Sequence, residues 1–208
     1  MSEQMKTLLV VDIQNDFCPG GALAVPEGDS IIPVVNKLID HFDVVIQTQD
    51  WHPKGHHSFA SSHEGKSPYD STELEYGTQV LWPDHCVQGS KGAEFHPDLE
   101  TTKTQVIIRK GFRKQIDSYS AFFENDQKTT TGLTGYLRAR GLKNLYTAGL
   151  AADFCVKWSV LDGIDEHFNM HIIKDAVKGI DLNGSLDLAW TEMNEKGVQV
   201  TTSDELLS

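Results

Sequence analysis

What most restricts the fold of this chain is a pattern that recurs along it: a short, almost wholly apolar run with a chemically potent residue at or just past its carboxyl end. Thr7-Leu8-Leu9-Val10-Val11 stops at Asp12, and Val44-Val45-Ile46-Gln47-Thr48 stops at Gln49-Asp50. Gln105-Val106-Ile107-Ile108-Arg109 stops at Lys110, and Asn144-Leu145-Tyr146-Thr147-Ala148 runs on into the stretch that holds Cys155. Continuous apolar runs of this length belong to strands covered on both faces. Between them lie helical stripes: Ile31, Val34, Val35, Leu38 and Ile39 within residues 30–42, a helix around residues 133–139, and another over residues 185–195. His171-Ile172-Ile173 and Val198-Gln199-Val200 add two short strands. Strands alternating with amphipathic helices call for right-handed crossovers, hence a mostly parallel sheet with helices on both faces. The expected fold is an α/β three-layer α/β/α sandwich. In such sheets ligands bind outside the carboxyl ends of the strands, where Asp12, Asp50, Lys110 and Cys155 all fall.

The chain has 208 residues, enough for one sizeable core and too few for two independent ones. Residues 1–208 are therefore read as a single domain. An irregular, metal-site insertion spans about residues 51–104, where Gly, Pro, Ser and His replace periodicity; so long an insertion in a compact domain is usually functional. The formal charge of -12 comes from scattered acidic residues, with no basic stripe for nucleic acid and no polybasic patch for a membrane. A small-molecule partner fits that balance. Cys18, Cys86 and Cys155 are an odd count without framework spacing. The start Met1-Ser2-Glu3-Gln4 has no basic region followed by an apolar one, so the expected location is cytoplasmic, with reduced thiols. Monomer and homo-oligomer both remain open.

Cys155 stands where the strand of residues 144–148 hands over to a helix carrying Val156, Val160, Leu161 and Ile164. A helix N-terminus offers free N–H groups and a positive dipole end, which ease loss of a thiol proton and can hold an oxyanion. Asp153 is the expected N-cap. In the insertion, Asp50-Trp51-His52 places a carboxylate and an imidazole two residues apart, and Trp82-Pro83-Asp84-His85-Cys86 brings a second imidazole. Asp50, His52 and His85 would give a divalent metal one oxygen and two nitrogens with positions left open, the pattern of a catalytic site. His56 is close enough in sequence to be an accessory to it, with His57 competing for that place.

Together these motifs resemble the nicotinamidases of the isochorismatase-like cysteine hydrolase superfamily. The resemblance runs through Val11-Asp12-Ile13-Gln14-Asn15-Asp16-Phe17, Thr48-Gln49-Asp50-Trp51-His52-Pro53, Leu81-Trp82-Pro83-Asp84-His85-Cys86-Val87, Arg109-Lys110-Gly111, Tyr119-Ser120-Ala121-Phe122 and the Cys155 stretch, covering nearly the whole chain. It implies a Rossmann-like topology, Cys155 as nucleophile, Asp12 as proton acceptor and donor, and Lys110 as the cation beside the thiolate. It implies an aromatic pocket of Phe17, Trp82 and Tyr119, and a divalent ion (Zn²⁺, Fe²⁺ or Mn²⁺) on Asp50, His52 and His85 that anchors the pyridine nitrogen of nicotinamide. It also implies a cis peptide at Leu150-Ala151 and an oxyanion hole from the N–H groups of Ala151 and Cys155. Ala152 stands where relatives often carry threonine. The expected reaction is hydrolysis of nicotinamide to nicotinic acid and ammonia through a thioester, with pyrazinamide as a second substrate.

The nearest alternative is an amidase of the same superfamily acting on a carbamoyl or ureido compound; such relatives share the Asp, Lys and Cys but lack the metal cluster. True isochorismatases lack the cysteine. Two histidines and a carboxylate also describe non-haem iron oxygenases, but those usually sit on β-barrels, unlike this strand and helix alternation. A non-enzymatic scaffold would leave the joint placement of Asp12, Lys110 and Cys155 unexplained.

Overall fold

The computed structural model describes residues 5–208. The polar start, residues 1–4, on which the expectation of no leader rests, lies outside the described residues. In chain order come β1 (Lys6–Val11), α1 (Ile32–His41) and β2 (Val44–Asp50), then an antiparallel hairpin of β3 (Ser71–Leu74) and β4 (Gly77–Val80). β5 (Thr104–Lys110), α2 (Leu133–Ala139), β6 (Asn144–Leu150), α3 (Lys157–Asp165) and β7 (Asn169–Lys178) follow. α4 (Ser185–Glu195), β8 (Gln199–Thr201) and α5 (Ser203–Leu207) complete the order. Six strands form one sheet in the order β5-β2-β1-β6-β7-β8, with every neighbouring pair parallel. No helix among the described residues is long and apolar enough to cross a membrane.

The period-two geometry of β1 explains the layers. Leu8 and Val10 point to the face covered by Ile32, Val35, Leu38 and Ile39 of α1, while Leu9 and Val11 point to the face covered by Leu133 and Leu137 of α2, Val160 of α3 and Met193 of α4. All of these side chains are buried. Each contributes about 1.5–3 kcal/mol through the apolar surface it removes from water.

The structure departs from the sequence expectations at four places, each with a local cause. The insertion contains the β3–β4 hairpin; Gln79 is the one side chain of those two strands that is fully buried, so no apolar alternation announces them. β7 is longer than residues 171–173 because the sheet register shifts between Thr147 and Gly149, letting Lys174 and Asp175 face outward before Ala176 and Val177 return to the core. Residues 28–31 form a 3₁₀ turn, and α1 begins only at Ile32. Finally, α5 is set by a capping box: Thr202 and Glu205 satisfy one another's backbone N–H groups, the N–H of Thr202 donating to the Glu205 carboxylate at 3.0 Å.

At the centre of the sheet Gly149 pairs with Val11 and has a φ of +119°. A Cβ there would lie 2.1 Å from the carbonyl oxygen of Val11. Gly149→Ala should therefore cost about 3 kcal/mol or more, through backbone strain and displacement of β1. Urea unfolding checks this; a midpoint equal to that of the parent chain would contradict it.

Candidate active site

β1 and β6 are neighbours at the point where the strand order reverses, so the crevice beyond their carboxyl ends is the natural ligand site of this topology. Asp12 follows β1 directly, with a φ of +47° and no exposure. Asp50 and Lys110 are register partners at the ends of β2 and β5. Cys155 arrives from the turn after β6, and the Leu150–Ala151 peptide ahead of it is cis.

These side chains converge on one ammonium. Lys110 Nζ lies 2.8 Å from Asp12 Oδ2, pairs closely with Asp50 Oδ1, donates to the Ser118 carbonyl at 3.0 Å, and sits 3.4 Å from Cys155 Sγ. The lysine is wholly buried. Burial alone would favour its neutral form, but Asp12 and Asp50 raise its proton affinity well above that of an ordinary lysine, so it stays charged. Asp50 feels the converse: burial resists its ionisation, yet Lys110 and then His52 hold it down at about 2. Burial raises Asp12 against the pull of Lys110, leaving a carboxylate that accepts a proton readily. Thr48 Oγ1 donates to Asp12 Oδ1 at 2.5 Å and fixes its orientation.

Burial also pushes the Cys155 thiol well above the usual cysteine range, with Lys110 acting in the opposite sense. This burial works against the acidity expected from the helix N-terminus, and the Asp12 carboxylate close to the thiol is placed to act as its base. Asp153 is not the helix cap. Residues Ala152–Val156 form a π-helical turn ahead of α3, with Ala151 at its N-cap. The Asp153 carboxylate accepts from the N–H groups of Ile180 (3.0 Å) and Asp181 (2.8 Å) and from Ser185 Oγ (2.5 Å), anchoring the turn to the start of α4 and the residues before it. The Ala151 carbonyl accepts from the N–H groups of Phe154 and Val156, on either side of Cys155.

The second cluster adjoins the first. Asp50, His52 and His85 each offer a donor atom within 4.8 Å of the others. His85 Nδ1 is engaged by the Pro83 carbonyl at 2.8 Å, which leaves Nε2 facing Asp50 Oδ2 at 3.7 Å. His52 Nδ1 is buried and has no hydrogen-bond partner. A convergent carboxylate and two imidazoles, one with an orphaned buried nitrogen, fit a divalent cation. His56 packs its ring 4.7 Å from that of His52, but both of its nitrogens are engaged. Nδ1 bonds Ser58 Oγ at 2.7 Å, and Nε2 donates to the Arg113 and Ile116 carbonyls at 2.8 and 3.2 Å. Burial pushes its pKa down to about 4. It buttresses His52, with no lone pair left for a cation.

A narrow pocket opens onto Cys155, Asp50 and His85, with Phe17, Trp82 and Tyr119 in its walls. Phe154 completes the aromatic lining, edge-on to Trp82 at 5.0 Å and to Tyr119 at 5.7 Å. Sequence reasoning missed Phe154, although its place beside Cys155 was a usable signal. It also missed Gln14, which clamps Asp50 by accepting its N–H at 2.8 Å and donating to its carbonyl at 2.9 Å. Asp117, 3.0 Å from His52 Nε2, escaped notice as well.

The isochorismatase domain model matches residues 6–205. The chain belongs to the isochorismatase family. Within that family it is 54% identical over 200 residues to a nicotinamidase from Acinetobacter baylyi, covering 96% of this chain and 94% of that protein. A solved nicotinamidase/pyrazinamidase from Acinetobacter baumanii superposes with a TM-score of 0.96 at 54% identity, over 99% of this chain and 100% of that one. The pyrazinamidase of Pyrococcus horikoshii, solved in complex with zinc, matches with a TM-score of 0.78 at 38% identity, over 95% of this chain and 99% of that one.

Proposed function

We propose that this family member is a nicotinamidase, an amidohydrolase that converts nicotinamide to nicotinic acid and ammonia and also cleaves pyrazinamide. The observation that carries the mechanism is the wholly buried Lys110 ammonium held between Asp12 Oδ2 and Cys155 Sγ. Asp12 takes the thiol proton, and Sγ adds to the amide carbon while Lys110 offsets the negative charge gathered around it. The oxyanion is received by the N–H groups of Ala151 and Cys155. Asp12 then passes its proton to the amide nitrogen, the C–N bond breaks, ammonia leaves, and a thioester remains. Water gives a proton to Asp12 and adds to the thioester carbon; the C–S bond breaks, the sulfur regains the proton, and nicotinic acid departs.

Asp50, His52 and His85 would hold one divalent ion, with Zn²⁺, Fe²⁺ and Mn²⁺ all compatible with one oxygen and two nitrogens. When bound, it supplies a Lewis-acid anchor for the ring nitrogen of the substrate. Phe17, Trp82 and Tyr119 line the pocket around the ring of the substrate. The three cysteines are all free and buried, in keeping with a reducing, cytosolic setting.

Substrate comparison tests the reading. Nicotinamide should yield nicotinic acid and ammonia in equal amounts, and a carbamoyl or ureido compound of similar size should react far more slowly. The reverse preference would assign the site to the other amidase class.

A further inference from the structure

Asp117 takes no part in the steps above, yet its carboxylate is buried and fully engaged. Oδ1 accepts the Ser118 N–H at 2.8 Å and faces His52 Nε2 at 3.0 Å, while Oδ2 accepts from Gln79 Nε2 at 3.1 Å. Both carboxylate oxygens already act as acceptors, toward the Ser118 N–H and Gln79 Nε2, so the proton between the two groups is assigned to His52 Nε2. The lone pair of that imidazole then lies on Nδ1, the atom that is buried without a partner.

Gln79, at the end of the β3–β4 hairpin, holds this arrangement in place. Its Nε2 also lies 2.9 Å from Tyr119 Oη and 2.7 Å from the Val80 carbonyl, so its two hydrogens are shared among three acceptors. Its Oε1 accepts from Tyr76 Oη at 2.9 Å and Asn125 Nδ2 at 3.2 Å. Turning the amide over would set Oε1 against the Asp117 carboxylate, so its orientation is fixed by charge. Tyr119 in turn accepts from Trp82 Nε1 at 3.1 Å, which carries the network into the cavity wall.

We infer that Asp117, oriented by Gln79, is a positioning residue that keeps the proton of His52 on Nε2, leaves Nδ1 for a divalent cation, and couples that geometry to Tyr119 in the substrate pocket. The inference rests on the reading that Asp50, His52 and His85 hold the cation. Outer groups of this kind are worth about 10- to 100-fold in metal affinity.

The test is competition for zinc between a chelator and the parent protein, Asp117→Asn, Gln79→Met and His52→Ala, with steady-state kinetics alongside. Asp117→Asn should bind zinc about 10- to 100-fold more weakly. Gln79→Met should shift the same way by less, with KM for nicotinamide rising more than kcat falls. Parent-like affinity in Asp117→Asn, with zinc lost from His52→Ala, overturns the inference and leaves the metal reading standing. Zinc retained by His52→Ala overturns that reading and the inference with it. Should the variants fail to fold, ¹⁵N-histidine NMR of the unsubstituted zinc-loaded protein decides: a proton on His52 Nε2 is expected, and a proton on Nδ1 overturns the assignment.

Discussion

Replacing Cys155 with alanine should lower nicotinamide turnover by about 10,000-fold or more, because the sulfur that forms the covalent intermediate is gone. The change removes one sulfur from a site where Lys110 keeps its contacts to Asp12, Asp50 and the Ser118 carbonyl, so the fold and the metal donors stay as they are. Circular dichroism, zinc content and nicotinamide binding should therefore match the parent protein. Acid quenching of the parent during turnover should trap a nicotinoyl group on the peptide that contains Cys155, and the variant should yield none. Turnover within tenfold of the parent, or an acyl group on another residue, would remove Cys155 from the nucleophile's role.

Lys110→Met carries the second large effect, on stability and catalysis together. Lys110 is the ammonium that two buried carboxylates share, and methionine leaves Asp12 and Asp50 without their common counter-ion. Removing one partner of a buried ion pair costs about 3–5 kcal/mol. The pH dependence identifies the cause. In the parent, Asp50 is held at about 2 against an ordinary value of 3.8, so its stabilising contribution is present above 3.8 and is lost as pH falls toward 2. In the variant both carboxylates rise above 3.8, the folded state binds protons more tightly than the unfolded chain, and stability increases as pH is lowered toward about 5. Urea unfolding across pH should show the stability deficit narrowing on acidification. A deficit independent of pH would mean that Lys110 acts through packing of its alkyl chain.

The strand-end pattern made Asp12, Asp50 and Lys110 legible because a parallel sheet aligns the carboxyl ends of its strands, and apolar runs mark those ends in the sequence. Cys155 was legible for the same reason, but its proton affinity was not: helix position argues for an acidic thiol, whereas burial beside two carboxylates acts in the opposite sense. Groups that depend on long-range closure stayed hidden. Asp117 meets His52 across 65 residues from a loop without periodicity, and Gln79 sits on a polar hairpin. Their only sequence signals were nearness to Tyr119 and Trp82. Asp153 looked like a cap because it precedes a helix, but its partners, Ile180, Asp181 and Ser185, come from a segment the local pattern cannot foresee. The capping box of α5 was written in Thr202-Ser203-Asp204-Glu205 and needed only to be read.

The most direct test of the whole account is ammonia release from nicotinamide by the purified protein as isolated, after chelation, and after metal is restored. Release that disappears with the chelator and returns with zinc, iron or manganese is the predicted result, uniting the Cys155 chemistry with the donor set of Asp50, His52 and His85. No ammonia from nicotinamide under any of the three conditions would contradict it.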